Sequence, residues 1–229
     1  MSPLNETALL VSFDNIIDTT INEKIIALQQ SFANNFFAGF EETVPAYSSL
    51  AVFYDAVAIK KYNPAINSAF DFVKEHTEQL IARLDDSVIQ NDKTIITVPV
   101  YYNGDDLDEV VKQHGITVAE LIRIHSEKIY RVFMIGFLPG FAYMGKLDER
   151  IATPRKPSPR AQVPAGSVGI AGFQTGIYPF SSPGGWQLIG QTPVKIFDNE
   201  KINPCLFKAG DNVKFISISK EEFEKGNEY

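Results

Sequence analysis

Glycine and proline are concentrated in one apolar stretch of this chain, between Gly136 and Pro193. It holds 10 of the 15 glycines, 8 of the 13 prolines and the single tryptophan. Glycine reaches backbone conformations that are closed to other residues, whereas proline fixes φ. Because the stretch is also rich in Phe, Tyr, Ile and Val, it predicts short strands joined by rigid, shaped loops rather than a linker. Such loops on a rigid scaffold are where binding sites are usually built.

The charge and the cysteine content exclude several classes of protein. The 229 residues carry a net charge of −7, which argues against non-specific nucleic-acid binding, since that needs a basic surface. The lone Cys205 excludes an internal disulfide and fits a reducing compartment. The N-terminus lacks a signal-type segment, and no run approaches the ~20 apolar residues that span a bilayer. We therefore expect a cytoplasmic protein that binds neither nucleic acid nor membrane.

The first ninety residues show alternating strand and helix patterns. Apolar residues at helical spacing predict one helix over 21–36 and a second over 66–84, after Pro64. Strands are predicted at 7–13, 37–43, 48–54 and 94–101. The resulting order, β-α-β-β-α-β, is typical of a ferredoxin-like α/β unit.

The rest of the chain predicts a second, mainly β domain. Asp106 and Thr117 each stand three residues before a glutamate, the capping-box spacing, and so predict short helices over 106–114 and 117–127. Short strands separated by Gly and Pro turns then indicate a closed barrel or a sandwich. These strands are predicted at 130–135, 167–173, 177–180, 186–189, 194–197 and 213–218. We therefore predict an α+β chain with one domain over 1–90 and another over 91–229.

No common catalytic motif occurs in the sequence. It has no GxxxxGK[ST] loop for ATP, no GxSxG nucleophile elbow, and no HExxH or Cys/His pair for a metal. The glycine-rich segment 166–172 does not have the GxGxxG spacing, which favours a closely packed strand. His125 ends a predicted helix, where it can act as an acid or base near neutral pH or simply interact with the helix dipole.

The loop at the start of the Gly/Pro-rich stretch is the first candidate binding element. It contains Gly136, Phe137, Pro139, Gly140 and Phe141. Its glycines allow backbone N–H groups to converge on a carboxylate or phosphate. A tight turn plugged by the two phenylalanine rings is an equally supported interpretation.

Two arginines and three further polar or aromatic side chains follow that loop. Prolines hold Arg155 and Arg160 at fixed positions, and a guanidinium group binds carboxylate or phosphate in a bidentate manner. We favour binding here, because proline removes flexibility that a solvated loop need not lose. Gln174, Tyr178 and Trp186 can supply hydrogen bonds and an apolar wall to a small cavity. Core packing is their alternative role, and for the tryptophan alone it is the stronger one.

The order of these residues resembles the KipI / allophanate hydrolase subunit 1 family. The resemblance is carried by the series GFxPGFAY…PR…PR…PAGSV…Q…YP…SPGGW within Gly136–Pro193. It extends to residues 44–50 (VPAYSSL) and 98–102 (VPVYY), to Asp106, Leu107 and His125, and to Gly210 and Asp211, so it covers almost the whole sequence. One departure is Met144-Gly145-Lys146, where Gly-Gly is expected after Tyr-Leu.

The resemblance implies a fold, an activity and partners. It implies a ferredoxin-like N-terminal domain followed by a cyclophilin-like β-barrel. It also implies a subunit of an ATP-dependent 5-oxoprolinase, a heteromeric hydrolase completed by a C-type and an A-type subunit. In that enzyme ATP, with any accompanying Mg²⁺, activates the lactam, and a site shared between chains accounts for the missing phosphate loop.

The same resemblance assigns roles to the candidate residues and leaves two alternatives. Arg155 and Arg160 would bind phosphate or carboxylate, the 136–140 loop would supply backbone donors, and His125 would transfer a proton. Gln174 and the aromatic residues would shape the pocket. The alternatives are a protein inhibitor of a sensor histidine kinase and a carboxyltransferase that takes carboxybiotin from another chain.

Overall fold

The computed structural model describes residues 1–14, 16–84 and 95–226. The chain divides into two compact units, Met1–Asp92 and Lys93–Tyr229. The domain boundary predicted between residues 90 and 91 falls outside the described residues. Within the described ranges, no helix is both long enough and apolar enough to cross a membrane.

The first unit is a four-stranded antiparallel sheet covered by helices. Its strands, in the order β1-β2-β4-β3, are β1 Ser2–Asn5, β2 Ala8–Ser12, β3 Phe40–Pro45 and β4 Ser49–Tyr54. Its helices are α1 Thr19–Asn34, α2 Ala56–Tyr62 and α3 Ala69–Ala82. The helices begin at side-chain caps, such as Asp18, whose carboxylate accepts the N–H groups of Thr20 and Ile21. Their apolar faces and the strands share one core.

The sequence predicts most of this unit, with two differences. The predicted helices and the hairpin of β3 and β4 are present, whereas the short helix α2 had no predicted counterpart. The strand predicted at 94–101, β5 Ile95–Val100, pairs with the sheet of the second unit, and Thr94 lies outside the described residues. Its buried residues, Val98 and Val100, belong to the core of that unit. The hairpin strand β1 supplies the fourth strand of the first sheet instead.

The second unit is built on a seven-stranded sheet. Besides β5, its strands are β6 Ile129–Ile135, β7 Ala142–Gly145, β9 Ser167–Ala171, β10 Gln174–Ile177, β12 Gln187–Gln191 and β13 Asn212–Ser217. Their order in the sheet is β12-β9-β10-β7-β6-β13-β5. A separate pair consists of β8 Arg160–Val163 and β11 Ser182–Gly184. The helices are α4 Leu107–His114, α5 Val118–Glu127 and α6 Lys220–Glu224. The predicted α+β class with a C-terminal barrel is confirmed.

The two edges of this sheet meet, which nearly closes it into a barrel. Tyr101, directly after β5, and Gln191, the last residue of β12, exchange two N–H···O hydrogen bonds of 2.8 Å each. Glycine is required at this seam, because a Cβ on Gly190 would lie 2.7 Å from the carbonyl oxygen of Tyr101. A Cβ on Gly104 would lie 2.2 Å from the carbonyl oxygen of Leu188. The seam therefore depends on backbones that approach more closely than side chains permit.

The helices before the barrel strands agree only in part with their predicted caps. At α5 the capping box is confirmed, since the Thr117 hydroxyl accepts the N–H of Glu120 and the glutamate accepts the N–H of Thr117. At α4 it is wrong: the Asp106 side chain makes no capping hydrogen bond. Its carboxylate instead accepts the N–H of Leu188 across the barrel seam. The Asp106 carboxylate therefore accepts a hydrogen bond from a distant strand instead of the one from the first turn of the helix that the local pattern predicts.

The short strands near the Gly/Pro turns are the least predictable part. Residues 178–180 and 194–196 are not in strands, whereas β7, β8 and β11 had no predicted counterpart. These strands have only three or four residues, and β11 contains Pro183. Such elements show no readable alternation, so only pairing with a neighbouring strand defines them.

His125 lies in the barrel core and is fully buried. Its Nδ1 is 2.7 Å from the Tyr102 hydroxyl, and its Nε2 is 2.9 Å from Oγ1 of Thr175. Because that threonine donates its own proton to the carbonyl of Gly169, Nε2 carries the imidazole proton and Nδ1 accepts from the tyrosine. Burial lowers the pKa of His125 to about 3. The imidazole is therefore neutral and has both ring nitrogens satisfied.

We expect the substitution Gly190→Ala to destabilise the second unit by about 1–3 kcal/mol, because its methyl group collides with the backbone of the facing strand. Gly185→Ala is the matched control, since its Cβ would meet other atoms only at 3.7 Å. Urea unfolding followed by circular dichroism measures both. Equal stability of the two variants would contradict the close approach at the seam.

We expect His125 to make stability fall at acid pH. Its pKa is about 3 in the folded chain and ordinarily 6.5, so the unfolded chain binds the proton first. Its contribution is complete above pH 6.5 and is lost as the pH falls toward 3, by about 1.4 kcal/mol per pH unit. The stability gap between the natural chain and His125→Gln should shrink over this range and stay constant from pH 7 to 8. A stability gap that is independent of pH would contradict this expectation, because it would show that His125 has the same pKa in the folded and the unfolded chain.

Candidate functional site

One cavity of about 270 Å³ opens in the second unit. All of its lining residues belong to the Gly136–Pro193 stretch. They are Phe137, Phe141, Tyr143, Arg155, Pro159, Tyr178, Pro183, Gly184, Gly185 and Trp186. The walls are thus mainly aromatic, with a single cationic side chain.

The ring of Phe141 is the centre of the aromatic wall. Its centroid lies 4.8 Å from that of Tyr143, 5.3 Å from Tyr178 and 5.4 Å from Trp186, in edge-to-face contacts throughout. The three rings of Phe141, Tyr178 and Trp186 are each at most 4% exposed. Edge-to-face packing adds specific geometry to apolar burial, so the wall is rigid.

Two glycines let these rings approach the backbone. A Cβ on Gly184 would lie 2.5 Å from the hydroxyl oxygen of Tyr178, and one on Gly176 would lie 3.2 Å from ring atoms of Phe141 and Trp186. The SPGG turn before Trp186 is therefore part of the wall, although its sequence carries no functional side chain. It contributes the shape of the cavity rather than its chemistry.

The two phenols of the cavity stay protonated at neutral pH. Burial raises the pKa of Tyr178 more than the N–H of Trp186 and the nearby arginines lower it. Burial also raises the pKa of Tyr143, against a smaller opposite effect of Arg155. Both side chains can therefore donate hydrogen bonds to a ligand, but neither acts as a base.

Arg155 is the cation of the cavity. Its guanidinium carbon lies 5.9 Å from the ring centroid of Trp186, a distance typical of a cation–π contact. In the described part of the chain, no carboxylate lies within ion-pair distance of Arg155. An exposed guanidinium group without a carboxylate partner, held over an aromatic wall, is suited to bind an anionic ligand.

Arg160 is engaged inside the protein and does not line the cavity. One of its terminal nitrogens donates to the carboxylate of Asp106, and the other lies 3.3 Å from the carbonyl oxygen of Trp186. The two arginines that the sequence pairs as ligand-binding groups are therefore placed differently: Arg155 faces the cavity, and Arg160 supports its wall.

Asp106 is the buried carboxylate that pairs with Arg160. It is 2% exposed, and besides Arg160 its carboxylate accepts Nζ of Lys156 at 2.7 Å and the N–H of Leu188 at 2.7 Å. Burial alone would raise the pKa of Asp106. The hydrogen bonds from the lysine, the backbone and the arginine outweigh burial, and the pKa is lowered. The carboxylate is therefore ionised at neutral pH.

The loop at 136–140 is a tight turn. Three of its N–H groups donate to carbonyl groups of the same turn: Gly136 to Phe141 at 3.1 Å, Leu138 to Gly136 at 2.9 Å, and Phe141 to Leu138 at 3.0 Å. Pro139 has no N–H to offer, and Gly140 takes a φ of +81° that the turn requires. The N–H groups of Phe137 and Gly140 are not among the donors within the turn, so both the plugged turn and a pair of free donors are compatible with this geometry.

Phe137 is the strained residue of this turn. Its φ is +69°, the one positive value among the described residues other than glycine. The ring is 59% exposed and stands 5.5 Å from Phe141 and 6.5 Å from Tyr178 between centroids. A non-glycine residue held in this conformation at the rim of a cavity is typical of functional sites.

Besides Arg160, and besides Gly136, Pro139 and Gly140 of the turn, three more residues considered in the sequence lie outside the cavity lining. His125 is in the barrel core, Gln174 is the first residue of β10, where it pairs with Gly145, and Lys146 directly follows β7. The expected proton transfer by His125 therefore finds no support in its position. Lys146, which replaces an expected glycine, does not change the wall of the cavity.

Sequence reasoning missed other parts of the wall. Tyr143 was not singled out, although it stands two residues after Phe141, the spacing that places side chains on one face of a strand. The sequence interprets Pro159 only as a residue that fixes the arginines and Pro183 only as a turn residue, yet both line the cavity. Across the described ranges, no three His, Cys, Asp or Glu side chains are grouped closely enough to hold a metal ion.

Two curated relatives and one solved structure are similar to this chain. The B-type subunit of 5-oxoprolinase from Bacillus subtilis is 43% identical over 224 residues, which is 96% of this chain and 93% of the relative. The corresponding 5-oxoprolinase subunit of Haemophilus influenzae is 54% identical over 145 residues, 62% of this chain and 67% of the relative. The crystal structure of TTHA0988 superposes with a TM-score of 0.79 at 30% identity. The match covers 93% of this chain but only 40% of that longer one.

The family model described as "Carboxyltransferase domain, subdomain C and D" matches residues 1–207. The match spans both structural units and includes every residue of the cavity. It agrees with the resemblance that the sequence carries, which is thereby confirmed. This chain belongs to the carboxyltransferase subdomain C and D family, together with the B-type subunits of 5-oxoprolinase.

Proposed function

We propose that this chain is the B-type subunit of an ATP-dependent 5-oxoprolinase and that its cavity binds 5-oxoproline. The relatives named as B-type subunits of 5-oxoprolinase support the activity, one of them over 96% of the chain. The observation that carries the assignment of the cavity is Arg155, a cation with no carboxylate partner among the described residues, held over Trp186.

The chemistry of 5-oxoproline matches the cavity. The molecule is a five-membered lactam with one carboxylate, so Arg155 can take the carboxylate in a bidentate pair. The faces of the ring are apolar and pack against Phe141 and Trp186, and a phenol donates to the lactam oxygen. The nucleotide fits less well, since a triphosphate needs several cations and this cavity has a single one. ATP is therefore assigned to a site completed by another subunit.

In this reaction the chain binds and orients the substrate. ATP supplies the activation, by phosphorylating an amide oxygen that is otherwise a poor leaving group. Arg155 holds the carboxylate end, which leaves the lactam at a defined position against the aromatic wall. Phe137 stands at the rim, where its ring limits access of water to the bound lactam.

We further propose that a C-type and an A-type subunit complete the enzyme, with Mg²⁺ accompanying ATP. Two features support this proposal: the relatives are named as subunits, and the cavity contains no proton-transfer group with a pKa near neutrality among its described lining residues. Residues for proton transfer and for the triphosphate would then come from the other chains.

A carboxyltransferase is the second candidate, because the family model carries that description. In this case the cavity would hold a small amide that receives CO₂ from carboxybiotin on another chain. Dependence of turnover on bicarbonate, together with inhibition by avidin, would indicate this reaction. Glutamate formation that is insensitive to avidin would exclude it. Inhibition of a histidine kinase stays a prediction of the sequence.

We expect Arg155→Ala to raise the KM for 5-oxoproline about 10- to 100-fold in the enzyme assembled with its C-type and A-type partners, because a charge-assisted pair is lost. The KM for ATP should not change. Arg123→Ala is the matched control, since Arg123 pairs with Glu127 on the exposed side of α5. Glutamate release measures both variants. An unchanged KM for 5-oxoproline, or a raised KM for ATP, would refute the assignment of the cavity.

We expect two variants of Phe137 to separate strain from function. Phe137→Ala keeps the left-handed φ and loses the ring, whereas Phe137→Gly also relieves the strain. The glycine variant should therefore be more stable than the alanine variant by about 1 kcal/mol in urea unfolding. Both should bind 5-oxoproline more weakly than the natural chain and equally so. An alanine variant as stable as the glycine variant would show that the turn is unstrained.

A further inference from the structure

The loop that carries Arg155 is fixed on both sides of the arginine. Nε2 of Gln187 donates to the carbonyl oxygen of Pro154 at 3.0 Å. The N–H of Lys156 donates to the carbonyl oxygen of Gly185 at 2.7 Å. These bonds tie the backbone of the loop to the segment around Trp186, so the loop and that segment can move only together.

One buried carboxylate joins the loop, the tryptophan and the barrel. Asp106 accepts Nζ of Lys156, the residue next to Arg155 in sequence. It also accepts Arg160, whose other terminal nitrogen reaches the carbonyl of Trp186. Its second oxygen takes the N–H of Leu188 in β12. The positions of the Arg155 guanidinium and of the Trp186 indole thus both depend on one carboxylate at the barrel seam.

The same carboxylate forms ion pairs with two of the cations near the cavity. The side chains of Lys156 and Arg160 are 25% and 21% exposed, and both pair with the side chain of Asp106, which is 3% exposed. Glu109 gives the lysine a second partner at 3.3 Å. Arg155 remains the cation directed at the cavity. A ligand with one carboxylate can therefore pair with Arg155, the cation that lines the cavity.

We propose that Asp106 is the positioning residue of this cavity: it holds Arg155 over Trp186 and so sets the affinity for a single carboxylate. It does not touch the ligand and acts through Lys156, Arg160 and the backbone of β12. The proposal rests on the proposed function for the identity of the ligand alone. The geometry that carries it is independent of the reaction.

The test uses the full chain and its single tryptophan, whose fluorescence reports on the cavity. The probes are 5-oxoproline and cyclopentanecarboxylate, which has the ring and the carboxylate but no lactam. Asp106→Asn should weaken the binding of the carboxylate probe at least tenfold. In a chain that already carries Arg155→Ala, the same substitution should cause no further loss. A residue that merely stabilises the fold would instead multiply the two losses.

The matched control is Asp148→Asn. Asp148 also accepts two nitrogens of an arginine, Arg150, but its described hydrogen bonds do not include Lys156, Arg160 or β12. The Kd of this variant for the carboxylate probe should stay at the natural value. If circular dichroism shows that Asp106→Asn is unfolded, Lys156→Met takes its place. This substitution removes one of the two cations that pair with Asp106 and should weaken binding of the carboxylate probe about threefold.

The outcomes separate the two proposals. A folded Asp106→Asn variant with the natural Kd, or losses that multiply with Arg155→Ala, overturns the positioning role. So does a natural chain that binds neither carboxylate. A chain that binds cyclopentanecarboxylate but rejects 5-oxoproline overturns the proposed substrate, while the Asp106 series is still decided on the probe that binds.

Discussion

The ionised carboxylate of Asp106 is the interaction on which the arrangement of the second unit depends. Burying a charge is costly unless it is paired and hydrogen-bonded, and here two cations and a backbone N–H supply the partners. They come from a loop, a strand of the small sheet and a strand of the barrel. Because loss of any one partner would leave part of the buried charge uncompensated, the carboxylate links these three segments.

The barrel seam and the cavity follow from the same constraint. The N–H of Leu188 in β12 donates to Asp106, and a few residues further along the seam Tyr101 and Gln191 close the sheet. The close approach is possible because Gly104 and Gly190 have no Cβ. Trp186 directly precedes β12, so the register of that strand also sets the height of the indole in the cavity. The contacts that close the barrel therefore also place the aromatic wall of the cavity.

The sequence predicts the parts of this molecule that are governed by local rules. The helices α1, α3 and α5 follow from periodicity and caps, and Arg155, Phe141, Tyr178 and Trp186 from the chemistry of their side chains. It does not predict the role of Asp106, because a capping pattern and a tertiary salt bridge use the same carboxylate. It cannot separate Arg155 from Arg160 either, since their difference lies in a partner about fifty residues earlier in the chain.

The position of His125 shows why a motif does not assign a role. Its place near the end of a predicted helix, together with the family resemblance, suggests proton transfer. Its burial, with hydrogen bonds to Tyr102 and Thr175, instead makes it a neutral link between helix α5 and the barrel. The described lining of the cavity then contains one cation, two protonated phenols and apolar rings. Such a site is suited to bind and orient a small anion, but its described lining has no histidine or carboxylate, the side chains that most often transfer protons.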